Sequence, residues 1–166
     1  ECEEAVAGGV NLYLHPSKYV ALSQIRMLSP TGKCRPFSEA ADGFAPGEGI
    51  GAIILKKRSK AEADGDRIYA VIKASALNHG GYTSGYTVPN PNAQMRVIDE
   101  AIKRSGVNPR IINHIEAHGT GTELGDPIEI TGLTKAFSKY TEEKQFCSVS
   151  SVKGNIGHLE SAAGIV

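Results

Sequence analysis

The chain has 166 residues, of which 40% are hydrophobic, a length that suits one domain or a piece of a larger one. Its 18 basic and 18 acidic residues give a formal net charge of zero, which argues against broad electrostatic binding to nucleic acid or to a membrane surface. The 3 cysteines are far apart and show no metal or disulfide spacing, which fits the reducing cytoplasm. The longest aliphatic run, 50–55, is far shorter than the roughly 20 residues of a membrane span. A strand pattern that starts almost at Glu1 and a helix-like pattern that still runs at Val166 indicate a fragment of a larger enzyme.

The first part of the chain predicts two strands around a long connection. Residues 5–10 read as a short buried strand, and residues 50–57 read as a second one. The intervening segment 11–49 contains 4 of the 8 prolines and is predicted to be irregular. A connection of this length in a compact domain is usually functional, or it covers an interface.

A basic run at 56–60 opens a predicted short helix that ends near Gly65. This run is either a solvated helix face or a docking surface for an acidic carrier domain. Residues 67–77 predict a third strand, which a loop rich in glycine, tyrosine and threonine follows at 78–89.

The second half alternates helix and strand. A helix is predicted from Asn90-Pro91 to a stop at Gly106, then a strand at 111–117, a helix at 127–139 and a strand at 147–152. This alternation is typical of an α/β fold with parallel strands.

Sequence patterns also predict how the last two helices begin. Asp126 is predicted to cap the helix at 127–139, with Pro127 at the first helical position and Glu129 three residues after the cap. Residues 159–166 read as the start of a last helix.

Two loops follow the last two strands, and both carry titratable side chains beside glycines. His118 follows the strand at 111–117, while Lys153 and His158 lie in the loop 153–158 after the next strand. Ligands in open α/β sheets bind at the carboxyl ends of the strands. If the two strands are parallel neighbours, these three side chains therefore converge on one edge of the sheet.

Such a convergence suits the stabilisation of negative charge on an oxygen. Two neutral imidazoles, His118 and His158, can each donate one N–H hydrogen bond to the same oxygen, and Lys153 would add positive potential. The hydroxyls of Thr120 and Thr122 can bind a polar chain lying along the loop. The alternatives stay open: structural histidines, an exposed lysine, and a loop whose hydroxyls satisfy its own backbone.

Three other chemistries fit the sequence less well. A dinucleotide-binding loop needs a third glycine where Leu124 stands. His114 and Glu116 share a strand face with His118 but lack the HExxH spacing, so we expect no metal. None of the three cysteines lies beside a base or at an electropositive helix start, so the chain shows no evident nucleophile.

Residues 116–127 (EAHGTGTELGDP) closely resemble the HGTGT signature of β-ketoacyl synthases, and residues 151–164 (SVKGNIGHLESAAG) resemble the second histidine motif of that family. Segments 34–38 (CRPFS), 41–44 (ADGF) and 46–49 (PGEG) resemble its middle region. Residues 78–81, 85–91 and Gln94 most resemble ketosynthase domains of modular polyketide synthases, particularly the trans-acyltransferase kind.

The resemblance implies a thiolase-like layered α/β/α/β/α fold, of which residues 1–166 would be a partial domain holding the end of the first half and most of the second. It implies a dimer that catalyses decarboxylative Claisen condensation between an acyl-cysteine thioester and malonyl-acyl carrier protein. By the family pattern His118 and His158 bind the malonyl thioester oxygen and Lys153 supports them. Thr120 and Thr122 would contact the phosphopantetheine arm of the carrier, and no cofactor would bind directly.

The family's nucleophilic cysteine would lie before residue 1, and its Gly-Phe-Gly-Gly loop after residue 166, so we expect the 166-residue chain alone to be inactive. Some family members that only pass chains along lack the histidine at the position of His118, so its presence favours an elongating parent. Two alternatives are a non-elongating carrier-docking or dimer module and a fatty-acid condensing enzyme.

Overall fold

The computed structural model describes residues 2–85 and 87–166, so Glu1 of the first strand pattern and Tyr86 of the 85–91 motif lie outside the described residues. Helices and strands alternate along most of the chain. They are β1 Glu4–Asn11, α1 Ser17–Gln24, β2 Gly49–Lys56, α2 Arg58–Asp64, α3 Pro91–Ser105, β3 His114–Glu116, α4 Gly125–Phe137, β4 Ser148–Ser150 and α5 Lys153–Ile156, with short 3-10 helices at Pro109–Ile111 and Glu160–Ala162.

The first two predicted strands form and pair with each other, but the first is not buried as expected, since Val6 is 75% and Val10 is 50% exposed. β1 and β2 run antiparallel in a register from Glu4 opposite Lys56 to Asn11 opposite Gly49. The end of the chain packs on one face of this pair. A side chain at Gly51 would stand 2.8 Å from Ile165, so glycine is what allows that close approach.

The last two strands are parallel neighbours, as the alternation of elements predicts. His114 of β3 lies opposite Ser148 of β4, and Glu116 lies opposite Ser150. Both strands are shorter than the predicted spans. At the start of the first span the Asn108 side chain accepts a hydrogen bond from the Arg110 N–H (3.0 Å) and stabilises a 3-10 turn where the strand was expected.

α3 has the predicted ends. The Asn90 side chain accepts hydrogen bonds from the N–H groups of Asn92 (3.0 Å) and Ala93 (3.2 Å), and Pro91 follows at the first helical position. Gly106 ends the helix with a φ of 63°. α3 packs on α4, where a side chain at Gly132 would stand 2.9 Å from Gln94.

Two predictions about secondary structure in the first half of the chain are wrong. The segment 11–49 is not irregular throughout, because α1 forms in it, although none of the residues of α1 is buried. Residues 67–77 form no strand, and Tyr69 and Leu77 are 85% and 97% exposed. Strand-favouring residues form a strand only where a neighbouring strand pairs with them, and within the described residues this segment has no such neighbour.

The third error concerns the last helix. Residues 159–166 contain only a 3-10 turn, since Glu160 has a φ of 39°, which lies outside the right-handed helical region. The loop predicted at 153–158 in turn contains the single-turn helix α5.

Nearby acidic side chains pair with the basic run at 56–60. Lys56 contacts Glu4 (3.0 Å), Asp64 (2.6 Å) and Asp66 (2.5 Å), and these hydrogen bonds raise the pKa of its ammonium group. Arg58 pairs with Glu62. These pairings favour the solvated helix face over a docking surface. Among the described helices, none is both long and apolar enough to cross a bilayer.

Asp99 joins α3 to the residues that follow α4. Its carboxylate accepts hydrogen bonds from Lys139 (2.7 Å), from the Tyr140 hydroxyl (2.5 Å) and from Lys103 (2.9 Å). These partners hold the pKa of the Asp99 carboxyl well below its usual range. The ionised form is therefore the one that the folded state stabilises.

Asp99→Asn should lower the thermal unfolding midpoint at neutral pH, because the amide keeps the shape but loses the charge that Lys139 and Lys103 contact. A depressed folded-state pKa stabilises the fold above the unfolded value of about 3.9, and this stabilisation is lost as the pH falls towards the folded value. The wild type should therefore lose more of its midpoint than the variant on going from about pH 5 to about pH 3. Glu100→Gln, at an exposed pair on the same helix, is the matched control. Equal acid sensitivity of wild type and Asp99→Asn would contradict this assignment.

Candidate active site

The first loop of the site is held by a carboxylate from α4. Glu129 accepts hydrogen bonds from the backbone N–H groups of His118 (2.6 Å) and Gly119 (2.8 Å). Gly119 has a φ of 41°, and a side chain there would stand 2.6 Å from Ser151. The loop therefore leaves β3 in one tight conformation that fixes the backbone of His118.

The predicted cap at Asp126 is wrong. α4 begins at Gly125, two residues before the predicted start at Pro127, and the residue at its N-cap position, Leu124, makes no capping side-chain hydrogen bond. The buried Asp126 carboxylate instead accepts hydrogen bonds from the N–H groups of Phe37 (2.7 Å) and Gly121 (3.1 Å). It joins the 34–38 segment to the 119–122 loop, a long-range contact that local capping patterns do not detect.

The second loop is held by the segment 45–47. The His158 N–H donates to the carbonyl of Ala45 (2.7 Å), and the Gly47 N–H donates to the carbonyl of His158 (2.9 Å). Gly157 has a φ of 77°, and a side chain there would stand 2.9 Å from the Ala45 carbonyl oxygen. Sequence reasoning assigned no role in the site to this segment.

The two loops bring both histidines together. The imidazole rings of His118 and His158 lie edge to face with their centroids 5.2 Å apart, and Phe44 lies edge-on to His158 at 5.0 Å. Lys153 is only 5% exposed, and its charge lowers the pKa of both histidines. The geometry therefore places two imidazoles and an ammonium group in one region at the carboxyl ends of β3 and β4.

The surroundings of both imidazoles lower their pKa and so favour the neutral form. Burial lowers the pKa of His118, and the charge of Lys153 lowers it further. Burial, then His118, then Lys153 lower the pKa of His158 to about 4. The Nδ1 atom of His158 accepts a hydrogen bond from the backbone N–H of Glu160 (3.0 Å), which leaves the ring proton on Nε2.

The histidines lie in a cleft of about 600 Å³. Thr120 and Thr122 line the same cleft, and so do Met27, Phe44, Gln94 and Arg26. Lys153 does not line the cleft. A neighbouring depression of about 540 Å³ beyond Thr122, lined by Phe37 and Ile130, contains neither imidazole.

The two threonines differ in how their hydroxyls are used. Thr122 Oγ1 accepts a hydrogen bond from the Gly125 N–H (3.1 Å) and lies 3.1 Å from Thr120 Oγ1. If Thr122 donates to Thr120, the proton of the Thr120 hydroxyl is available to a ligand.

His114 and Glu116, which share a strand face with His118, make hydrogen bonds to β4 and to the residues after it. His114 lies within hydrogen-bond distance of the hydroxyls of Ser148 (3.1 Å) and Ser150 (3.3 Å). The Glu116 carboxylate accepts hydrogen bonds from the Val152 N–H (2.7 Å) and the Ser150 hydroxyl (2.9 Å). These contacts tie the two strands together at the edge where the site begins.

Fold and site together define an α/β protein with a cleft that is lined by two imidazoles, His118 and His158, near the buried ammonium group of Lys153. A family model described as "Beta-ketoacyl synthase, C-terminal domain" matches residues 69–166, and one described as "Beta-ketoacyl synthase, N-terminal domain" matches residues 1–61. The chain belongs to the β-ketoacyl synthase family.

Curated relatives and solved structures agree with this membership. The chain is 59% identical to Polyketide synthase PksL of Bacillus subtilis, with 99% of the chain and 4% of that protein covered. It is 54% identical to the oxazolomycin ketosynthase domain OzmH KS7 of Streptomyces albus JA3453, with a TM-score of 0.93 over 98% of the chain and 28% of the solved one. It is 46% identical to the ketosynthase from module 6 of the bacillaene synthase of Bacillus subtilis, with a TM-score of 0.96 over 98% of the chain and 29% of the solved one. The expected thiolase-like fold class is confirmed, and the chain spans less than a third of these relatives.

Replacing Lys153 by methionine should raise the pKa of both His118 and His158, because it removes the positive charge that disfavours their protonation. Side-chain NMR titration of ¹⁵N-labelled histidine measures both values. Lys57→Met, at an exposed position far from Lys153 in the sequence, is the matched control and should leave both histidine pKa values unchanged. Unaltered histidine titration in Lys153→Met would place the ammonium group outside the reach of the imidazoles.

Proposed function

We propose that this chain is part of the reaction chamber of an elongating ketosynthase domain of a polyketide synthase. The reaction is the decarboxylative Claisen condensation of an acyl-cysteine thioester with malonyl-acyl carrier protein. The nucleophilic cysteine belongs to the part of the domain that precedes residue 1. The observation that carries the proposal is the pair of imidazoles of His118 and His158, 5.2 Å apart in one cleft.

In the proposed reaction the malonyl thioester carbonyl oxygen lies between the N–H donors of His118 and His158. Cleavage of the bond to the carboxylate releases CO2 and leaves the electron pair as an enolate, whose negative charge is concentrated on that oxygen. Donors already oriented towards the oxygen stabilise this charge without reorganisation. The enolate carbon then attacks the acyl thioester, a new carbon–carbon bond forms, and the cysteine leaves as thiolate.

Lys153 acts through its positive charge, although it does not line the cleft. A buried ammonium group favours negative charge on the enolate oxygen and keeps both imidazoles in the neutral form. Thr120 and Thr122 bind the phosphopantetheine arm that delivers the malonyl group, with the Thr120 hydroxyl as the available donor. No cofactor binds the chain directly, since the carrier protein brings the phosphopantetheine.

The partners follow from the reaction and from the family. They are an acyl carrier protein, malonyl and acyl thioesters, and a second copy of the parent domain. The trans-acyltransferase subtype is supported by the segments 78–81 and 85–91, and a cytosolic location by thiols at Cys2, Cys34 and Cys147 that are all free.

The first test replaces His118 by alanine in the ketosynthase that contains this chain. Loss of one oxyanion donor typically costs about 2.7–4 kcal/mol, so decarboxylation of malonyl-carrier should slow by about 10²–10³-fold. Acylation of the cysteine should remain measurable by intact mass. His79→Ala, which removes an exposed histidine that does not line the cleft, is the matched control. Normal decarboxylation by His118→Ala would overturn the proposed role.

The second test replaces Thr120 by valine, which keeps the shape and removes the hydroxyl. Loss of one hydrogen bond to the arm should raise KM for malonyl-carrier by about two- to tenfold and change kcat little. Thr131→Val, whose hydroxyl binds the Pro127 carbonyl on an exposed face of α4, is the control. A fall in kcat at constant KM would contradict the assignment of Thr120 to the arm.

A further inference from the structure

The hydrogen bond that fixes the proton of His158 comes from an unusual backbone position. The donor is the N–H of Glu160, whose φ of 39° lies in the left-handed region that residues with a side chain rarely adopt. Glu160 is only two residues beyond His158, so a change in its backbone angles redirects this N–H away from Nδ1. Something must hold Glu160 in that conformation.

Two residues from the other end of the chain bind both oxygens of the Glu160 side chain. The Tyr13 hydroxyl donates to Oε1 (2.8 Å), and the Lys18 ammonium group pairs with Oε2. Lys18 also stands over the ring of Tyr13, 4.9 Å from its centroid. Lys18 belongs to α1, the helix with no buried residue, so its pairing with Glu160 ties this exposed helix to the site.

We propose that Tyr13 and Lys18 are positioning residues, which clamp the Glu160 side chain so that its backbone N–H holds His158 in the tautomer with the proton on Nε2. Only the expected effect on decarboxylation rests on the proposed function. The expected effect on the tautomer of His158 does not depend on it. Without the clamp, Glu160 relaxes towards right-handed backbone angles and Nδ1 loses its donor. The ring proton then distributes between Nδ1 and Nε2, and only the second form presents a donor from Nε2.

Spectroscopy of the histidine tests the structural content directly. In the ketosynthase containing this chain, labelled with ¹⁵N-histidine, two-bond ¹⁵N–¹H correlation spectra distinguish the two tautomers, and His158→Gln identifies the signal. The wild type should show the Nε2–H form, and the variant with both Tyr13→Phe and Lys18→Met should show a mixture. Tyr19→Phe is the matched control, because the Tyr19 ring contacts that of Tyr13, with the centroids 5.1 Å apart, but Tyr19 does not bind Glu160. An unchanged tautomer in the double variant would overturn the proposal.

Substitution of Glu160 separates backbone positioning from simple attachment of α1. Glu160→Ala and Glu160→Gly both remove the clamped carboxylate, but glycine adopts left-handed angles at little cost. Glu160→Gly should therefore retain more of the Nε2–H form and decarboxylate about fivefold faster than Glu160→Ala. Equal behaviour of the two variants would overturn the proposal in favour of a purely structural role. Thermal midpoints verify that each variant is folded.

The two proposals fail in different ways. A tautomer mixture in the double variant together with an undiminished decarboxylation rate supports the clamp and overturns the role proposed for His158. A mixture together with a rate about two- to tenfold lower, at normal cysteine acylation, supports both.

Discussion

The parallel pairing of β3 with β4 is the constraint on which the rest of the site depends. The pair is only three residues long in each strand, yet it sets the carboxyl ends of both strands side by side. His118 follows one end, and Lys153 and His158 follow the other. Because the sheet is short, side chains reinforce it: the Glu116 carboxylate on β3 reaches the Val152 N–H beyond β4. A shift of register between the strands would separate the imidazoles, so the chemistry depends on this pairing.

A second constraint is electrostatic. The site buries the positive charge of Lys153, and its two carboxylates, Glu129 and Asp126, do not form ion pairs with the histidines. Glu129 and Asp126 lie close enough to raise the pKa of His118, yet burial and Lys153 dominate and the pKa is lowered. Both carboxylates accept backbone N–H groups of the loops instead. Their negative charge therefore stabilises the loop conformation, while the imidazoles keep a lowered pKa, as the proposed donation to an oxygen that gains charge requires.

The surroundings of His158 come from parts of the chain that are remote in sequence. The segment 45–47 holds its backbone, Phe44 contacts its ring, and Glu160 fixes the position of its proton. Glu160 is held in turn by Tyr13 and Lys18. The long connection 11–49, whose length predicts that it is functional or covers an interface, thus provides much of the framework around one histidine. This explains how a helix without a buried residue can have a defined place in the fold.

The sequence alone determined the features that depend on neighbours in the chain. β1, β2 and α3, with its cap at Asn90 and its stop at Gly106, follow from local propensity and capping, and the motifs at 116–127 and 151–164 determined the family. Only the tertiary structure decided which residues hold those motifs in place. α1 carries no apolar stripe, 67–77 favours a strand for which the described residues provide no partner, Asp126 serves two distant N–H groups rather than a helix end, and the backbone of Glu160 interrupts the expected last helix. Each of these features depends on a contact between residues far apart in the chain, and a local pattern contains no information about such contacts.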